Sequence, residues 1–264
     1  MKHLWNSNNC SVFSLLACGV LLISISCDPG QEADTPTDKE YDEIASAIAP
    51  LISVELESGG ILETSTHIAV GDEPGWLRFQ STGNLEGSVG GLTWDVLAEC
   101  QSSQNDELEV CDETTDQARL NTSIAGRLDL VNYNAGLDVD SKWLIDGLQG
   151  SMITAKGTSQ ISADSDFDSL LTPVNRVYEF VLDLNFDFQI PVEDYEAAFG
   201  TAEATVLAYY SKTNLNGSDI AEGKFIIKAE LALDGDGNAL LTLDGTVQYR
   251  IDLATSLVVR IHNS

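Results

Sequence analysis

The chain has 264 residues, with 42 Asp and Glu against 13 Lys and Arg and a formal net charge of −29. That length suffices for one large domain with a buried core, and 43% hydrophobic residues argue for a folded chain rather than a disordered one. The charge argues against a nucleic-acid binder, which needs clustered Lys and Arg for phosphate, and against docking on an anionic membrane by charge; five Cys and three His leave few ligands for a transition metal.

Lys2 and His3 open a short polar stretch, and an apolar run broken only by small residues extends from Val12 to Ile25. Its length matches the hydrophobic region of an export signal and is short for a membrane-spanning helix. Cys27 ends the run, and Asp28-Pro29-Gly30 breaks any helix after it. An apolar run ending in small residues and a Cys resembles the bacterial lipoprotein signal. In that class a dedicated peptidase cuts before the Cys, which is then lipidated. Two positions fit. Leu15-Leu16-Ala17-Cys18 matches the local pattern better than Ser24-Ile25-Ser26-Cys27. Cutting at Cys18, however, leaves Val20 to Ile25 as an apolar tail on the mature chain, so the signal anatomy favours Cys27. An ordinary secretory signal or an uncleaved anchor is the alternative. The expected organisation is a signal peptide over 1–26, lipidated Cys27 with a flexible tether over 27–39, and one β-rich domain over 40–264.

The cysteines sort accordingly. Processing removes Cys10 and Cys18 and leaves Cys27, Cys100 and Cys111. Lipidation accounts for the odd one. Cys100 and Cys111 flank the polar stretch Gln101 to Val110 and read as a disulfide in an oxidising compartment. Closing such a loop stabilises the fold by about 3 kcal/mol. The spacing is not CxxC and no His is near, so a metal or redox role is disfavoured.

Thr37 with Glu40 three residues later forms a capping box. Tyr41, Ile44, Ile48, Leu51 and Ile52 then recur at helical spacing, with Pro50 expected to kink or end the helix. A second short helix is expected from Ile61 to Val70, with Ile61, Ser65 and Ile68 on one face and Gly71 as its stop. From there the period changes to two. Between Val174 and Ile190 the even positions Tyr178, Phe180, Leu182, Leu184, Phe186 and Phe188 are apolar, while Glu179, Asp183, Asn185 and Asp187 occupy odd ones. Strict alternation over that length is a long half-buried strand. The pattern repeats over Ala118–Leu130, Lys224–Leu233 and Val247–Leu253. Further strands are expected at Leu92–Cys100, Lys142–Asp146, Met152–Ser162, Thr201–Lys212, Asn238–Leu243 and Leu257–His262. Turns fall around Asn214 to Gly217, at Asp234 to Asn238 and at Ala254 to Ser256. The fold class is mainly β: a long-stranded antiparallel meander that forms a curved sheet, half-barrel or barrel, with one or two short N-terminal helices. An outer-membrane barrel is disfavoured, because aromatic girdles and an aromatic terminal strand are lacking.

Residues with chemical potential are few. Asp234, Asp236 and Asn238 alternate like the start of a calcium loop, but Ala239 and Gly245 stand where that loop needs Gly and Glu, so a hairpin turn is favoured. Asp164, Asp166 and Asp168 read as a solvated loop. His67 and His262 are the histidines beyond the signal, and no GxSxG elbow accompanies them. No P-loop is present, no cofactor is implied and no catalytic residue can be named. The stripe from Tyr178 to Phe188 reads as core, or as the lining of a cavity for an apolar ligand. The export address and the order of helix then curved sheet look like the periplasmic lipid-carrier half-barrels, a fold-level likeness without a shared motif. Beyond that the chain resembles uncharacterised acidic bacterial lipoproteins.

These readings place the protein in the bacterial cell envelope, facing the periplasm or the surface, with the membrane as partner through its lipid. The first expected role is non-catalytic binding of an apolar or lipid-like small molecule. The second is a structural or protein-interaction lipoprotein with an exposed patch near Trp76 or Trp94. The third is a hydrolase with paired carboxylates. Mass spectrometry of the mature protein should find an acylated N-terminus at Cys27. An unmodified Cys27, or one still preceded by residues 1–26, refutes the anchor.

Overall fold

The computed structural model describes residues 11–12, 25–26, 33–56, 60–70, 77–79, 84–89, 91–104, 106–108, 111, 114–130, 133–168, 174–214 and 219–262. Cys27, Gly71, Trp76 and the turn after Asn214 lie outside them. Near the N-terminus, Ser11–Val12 pairs with Ile25–Ser26.

Helix α1 spans Asp38–Leu56. Its start is the expected capping box: the Thr37 backbone N–H donates to Glu40 Oε2 at 2.8 Å, and the Glu40 N–H donates to Thr37 Oγ1 at 3.4 Å. Asp38 and Glu40 in the first turn complement the positive end of the helix dipole. Pro50 does not end the helix, which runs six residues further. Proline removes one helical hydrogen bond, but Pro50 and its neighbours are buried, so tertiary packing holds the segment helical. Helix α2, Ile61–Val70, follows with Ile61, Ser65 and Ile68 all buried.

Among the described residues, thirteen further strands form one sheet. They are β1 Leu77–Phe79, β2 Asn84–Val89, β3 Leu92–Ser102, β4 Glu107–Leu108, β5 Thr115–Leu130, β6 Tyr133–Asp146, β7 Met152–Asp168, β8 Val174–Pro191, β9 Phe199–Asn214, β10 Asp219–Asp234, β11 Asn238–Leu243, β12 Val247–Asp252 and β13 Leu257–Ile261. All pairings are antiparallel, and twelve strands follow one another as a single meander with β4 paired to β3 off the path. The sheet does not close: β1 and β13 are its two edges. The fold class is therefore the expected meander, in its open form rather than as a barrel.

Several strands exceed their expected bounds. β6 begins at Tyr133 rather than Lys142, and β7 continues to Asp168. Asp164, Asp166 and Asp168 are thus strand residues, paired to Glu179, Val177 and Asn175, and not a loop. Asp164 is exposed between buried Ala163 and Ser165, as the period of the sheet requires. The turn at Asp234 to Asn238 is the expected hairpin, with Gly235 and Gly237 at φ +84° and +74°. The Cys100–Cys111 disulfide is formed, with Cα atoms 5.4 Å apart.

The core is graded in side-chain size across the sheet. β8 presents Phe180, Phe186 and Phe188 inward. On β7 they face Ala163, Gly157 and Ala155, and on β9 they face Ala208, Ala202 and Gly200. Small neighbours on both sides give the aromatic ridge room, which is how large and small residues interdigitate in a close-packed interior. Gly157 shows the constraint most sharply, since a Cβ there would lie 2.2 Å from the Lys142 carbonyl oxygen and 2.9 Å from the Phe186 ring. Gly157→Ala should destabilise the fold by about 1–3 kcal/mol, measured by chemical denaturation. An unchanged midpoint would contradict the packing.

Candidate functional site

The stripe Tyr178, Phe180, Leu182, Leu184, Phe186 and Phe188 is buried, at most 5% exposed. It faces α1 rather than a hollow. Ile44, Ile48, Leu51 and Leu56 of α1 are fully buried, and each such side chain contributes about 1.5–3 kcal/mol. By length and composition the run Asp38–Ala69 could cross a membrane, yet 93% of its apolar window is buried within the protein. The gap between Ile48 and Ile52 of α1 and Leu182, Leu184, Ala202 and Ala204 of the sheet holds about 10 Å³. That is room for one water molecule at most.

Polar groups tie α1 down at both ends. At its N-terminal end, Asp42 accepts from Tyr249 Oη at 2.8 Å and from Arg260 at 3.1 Å, and Asp38 accepts from Arg260 at 2.8 Å. Tyr178 Oη donates to Glu43 at 3.0 Å, Tyr41 Oη donates to Asp244 at 2.7 Å, and Lys212 pairs with Glu40. In the tether just ahead, Asp34 accepts from Tyr210 Oη at 2.8 Å. Burial and the facing carboxylates push Tyr41 and Tyr210 up to about 12 and move Tyr249 the same way. Burial works against the Glu40 carboxylate, but Lys212 and Thr37 outweigh it and hold its pKa below the ordinary value. These contacts join α1 to β8, β9, β12 and β13.

Near its other end α1 carries Glu55, which is completely buried. Ser141 Oγ donates to Glu55 Oε1 at 2.8 Å, Trp143 Nε1 donates to it at 3.2 Å, and Ser159 Oγ lies 2.8 Å from Ser141 Oγ. Oε2 has no hydrogen-bond partner among the described residues. Ser141 and Ser159 are register neighbours on the inner face of β6 and β7, next to Thr122 of β5. Burial raises the Glu55 pKa to about 7, against the opposing pull of Ser141, Ser159 and Trp143.

The outer face holds a large concavity, a groove of about 620 Å³ across β3, β5, β6, β7 and β8. A twisted sheet is saddle-shaped, so a face that is convex around the helix is concave along the other diagonal. Two registered ladders line the groove. The first is Asp95, Ser123, Asp140, Gln160 and Asp183; the second is Leu97, Asn121, Lys142, Thr158 and Asn185. Gln160 Nε2 donates to Asp183 at 2.9 Å.

The remaining expectations resolve as follows. Asp234 and Asp236 spend their side chains inside the hairpin, accepting from the Asp236 N–H at 3.3 Å and from Asn238 Nδ2 at 2.8 Å. Among the described residues no three His, Cys, Asp or Glu group as a metal site would require. His67 sits 3.7 Å from Glu63 one turn earlier, and His262 is exposed beyond the last strand. Trp94 is buried at 3% exposure, so it forms no surface patch. The helix-end contacts and the groove were not anticipated from sequence. Their trace is a break in phase: Glu43 and Glu55 stand among the buried positions of α1, and Thr122, Ser141 and Ser159 on the apolar phase of their strands.

In the folded protein Glu55 keeps its proton up to about pH 7, whereas an ordinary Glu releases it near 4.5. Its contribution to stability is therefore greatest below 4.5, falls as pH rises to 7, and is level above that. Glu55→Gln should stabilise the protein at pH 8, by on the order of 3 kcal/mol, and flatten the pH 5–7 dependence of unfolding. A destabilised variant at pH 8 would contradict this. No protein-family model, no curated protein and no solved structure matches the chain.

Proposed function

We propose that the protein is a lipid-anchored, non-catalytic module of the bacterial cell envelope that binds its partner through the outer face of the sheet. The observation that carries this reading is the filled interior. An apolar ligand inside the sheet would occupy the volume that α1 fills, and the gap of about 10 Å³ beside it is far below the 300–1,000 Å³ of ordinary ligand sites. To admit a lipid, α1 would have to leave, breaking the Tyr249, Arg260, Tyr178 and Lys212 contacts and exposing its buried Ile and Leu side chains. The outer face, by contrast, is concave and accessible.

The hydrolase reading is weaker. Asp95, Asp140 and Asp183 stand two strands apart in the groove, about 10 Å between neighbours, and an uncharged Ser or Gln intervenes each time. The lipid anchor follows from the resemblance of residues 1–27 to lipoprotein signals. Native mass spectrometry of protein purified from membranes should show the chain without a stoichiometric apolar ligand, and Cys27→Ser should move it from the membrane to the soluble fraction. A co-purifying lipid at one per chain would reverse the choice between interior and outer face.

A further inference from the structure

We propose that the outer-face groove is a binding site for a polyhydroxylated ligand, an extended saccharide strand of the envelope. This deepens the outer-face reading and rests on it. The first support is shape: about 620 Å³ in an open trough across five strands suits an elongated ligand laid across the sheet. Because neighbouring strands lie about 4.8 Å apart, the first ladder offers polar side chains at regular intervals over about 20 Å and the second over about 15 Å.

The second support is the chemistry of the lining. Sugar hydroxyls both donate and accept. Carboxylates only accept, whereas Asn, Gln, Ser and Thr do both. In the first ladder Asp alternates with Ser or Gln, and in the second Asn121, Thr158 and Asn185 surround Lys142. Other ligand classes fit less well. Three carboxylates against one lysine repel an anion. Carboxylates two strands apart cannot converge on one metal ion, and Asp183 already accepts from Gln160. Leu97 is the one exposed apolar side chain of the lining, too little for a lipid tail. The aromatic, Met and Arg side chains that mark the core of a protein interface are absent from it.

With no aromatic ring in the lining to stack on a sugar, the expected affinity is weak, with Kd on the order of 1 mM. The test is ligand-observed saturation-transfer NMR on the purified full chain, with cellohexaose and chitohexaose as probes and spermine as the cationic comparator. At least one oligosaccharide should give a signal. The Asn121→Ala/Asn185→Ala variant should weaken it about tenfold while the melting temperature stays unchanged, because both side chains are exposed. Silence from both oligosaccharides overturns the proposal, as does a signal that survives the double variant. Competition by spermine at equal concentration overturns it in favour of a simple cation trap. A lipid-filled interior sinks the outer-face reading without deciding these titrations, and a silent groove over an interior free of lipid sinks only the saccharide site.

Discussion

The structure depends on the burial of one apolar helix in the concave face of one open sheet. The run Asp38–Ala69, which contains α1, is apolar enough by length and composition to span a membrane, and among the described residues no second large sheet covers the apolar inner face of the twelve-stranded meander. Each supplies the surface that the other must remove from water. Most other features follow from this pairing. The aromatic ridge of β8 is flanked by Ala and Gly because helix and ridge must share the interior. Pro50 sits in mid-helix because packing, rather than the lost hydrogen bond, decides the conformation there.

Charge management at the helix is asymmetric. At the N-terminal end, carboxylates meet Tyr, Arg and Lys, and Lys212 and Thr37 favour the charged form of Glu40. Near the C-terminal end, Glu55 is held by two hydroxyls and an indole with no cation within that hydrogen-bonded group, so burial dominates and the neutral form is favoured. The first arrangement orients α1 across β8, β9, β12 and β13. The second places an acid where a change of pH near neutrality alters the cost of keeping the helix in place.

The acidic excess acquires a location. Glu179, Asp183 and Asp187 alternate with the buried stripe and are exposed, as are Glu203 and Glu230, which face each other across β9 and β10. Such like-charged neighbours cost a little stability and favour solubility. Over β3 to β8 the same wet face sinks into a groove, where carboxylates are interleaved with amides and hydroxyls instead of with one another. A filled inside and a furrowed outside together shift the expected binding from the apolar surface to the polar one.

The sequence by itself determined the strand period, the capping box at Thr37 and Glu40, the disulfide partners, the hairpin at Asp234 to Asn238 and the mainly β class. All of these are local, set by alternation, spacing or turn chemistry over a few residues. It also marked Cys27 as the expected anchor by likeness to a signal class. Tertiary structure alone decided that the sheet stays open, that the stripe on β8 packs beneath a helix, and that Asp164 to Asp168 extend a strand. Those outcomes depend on which distant surfaces meet, such as Tyr178 with Glu43 or Ser141 with Glu55. Periodicity tells which face of a strand is apolar, but not what covers it, and it carries no information about the curvature that turns a row of polar side chains into a groove.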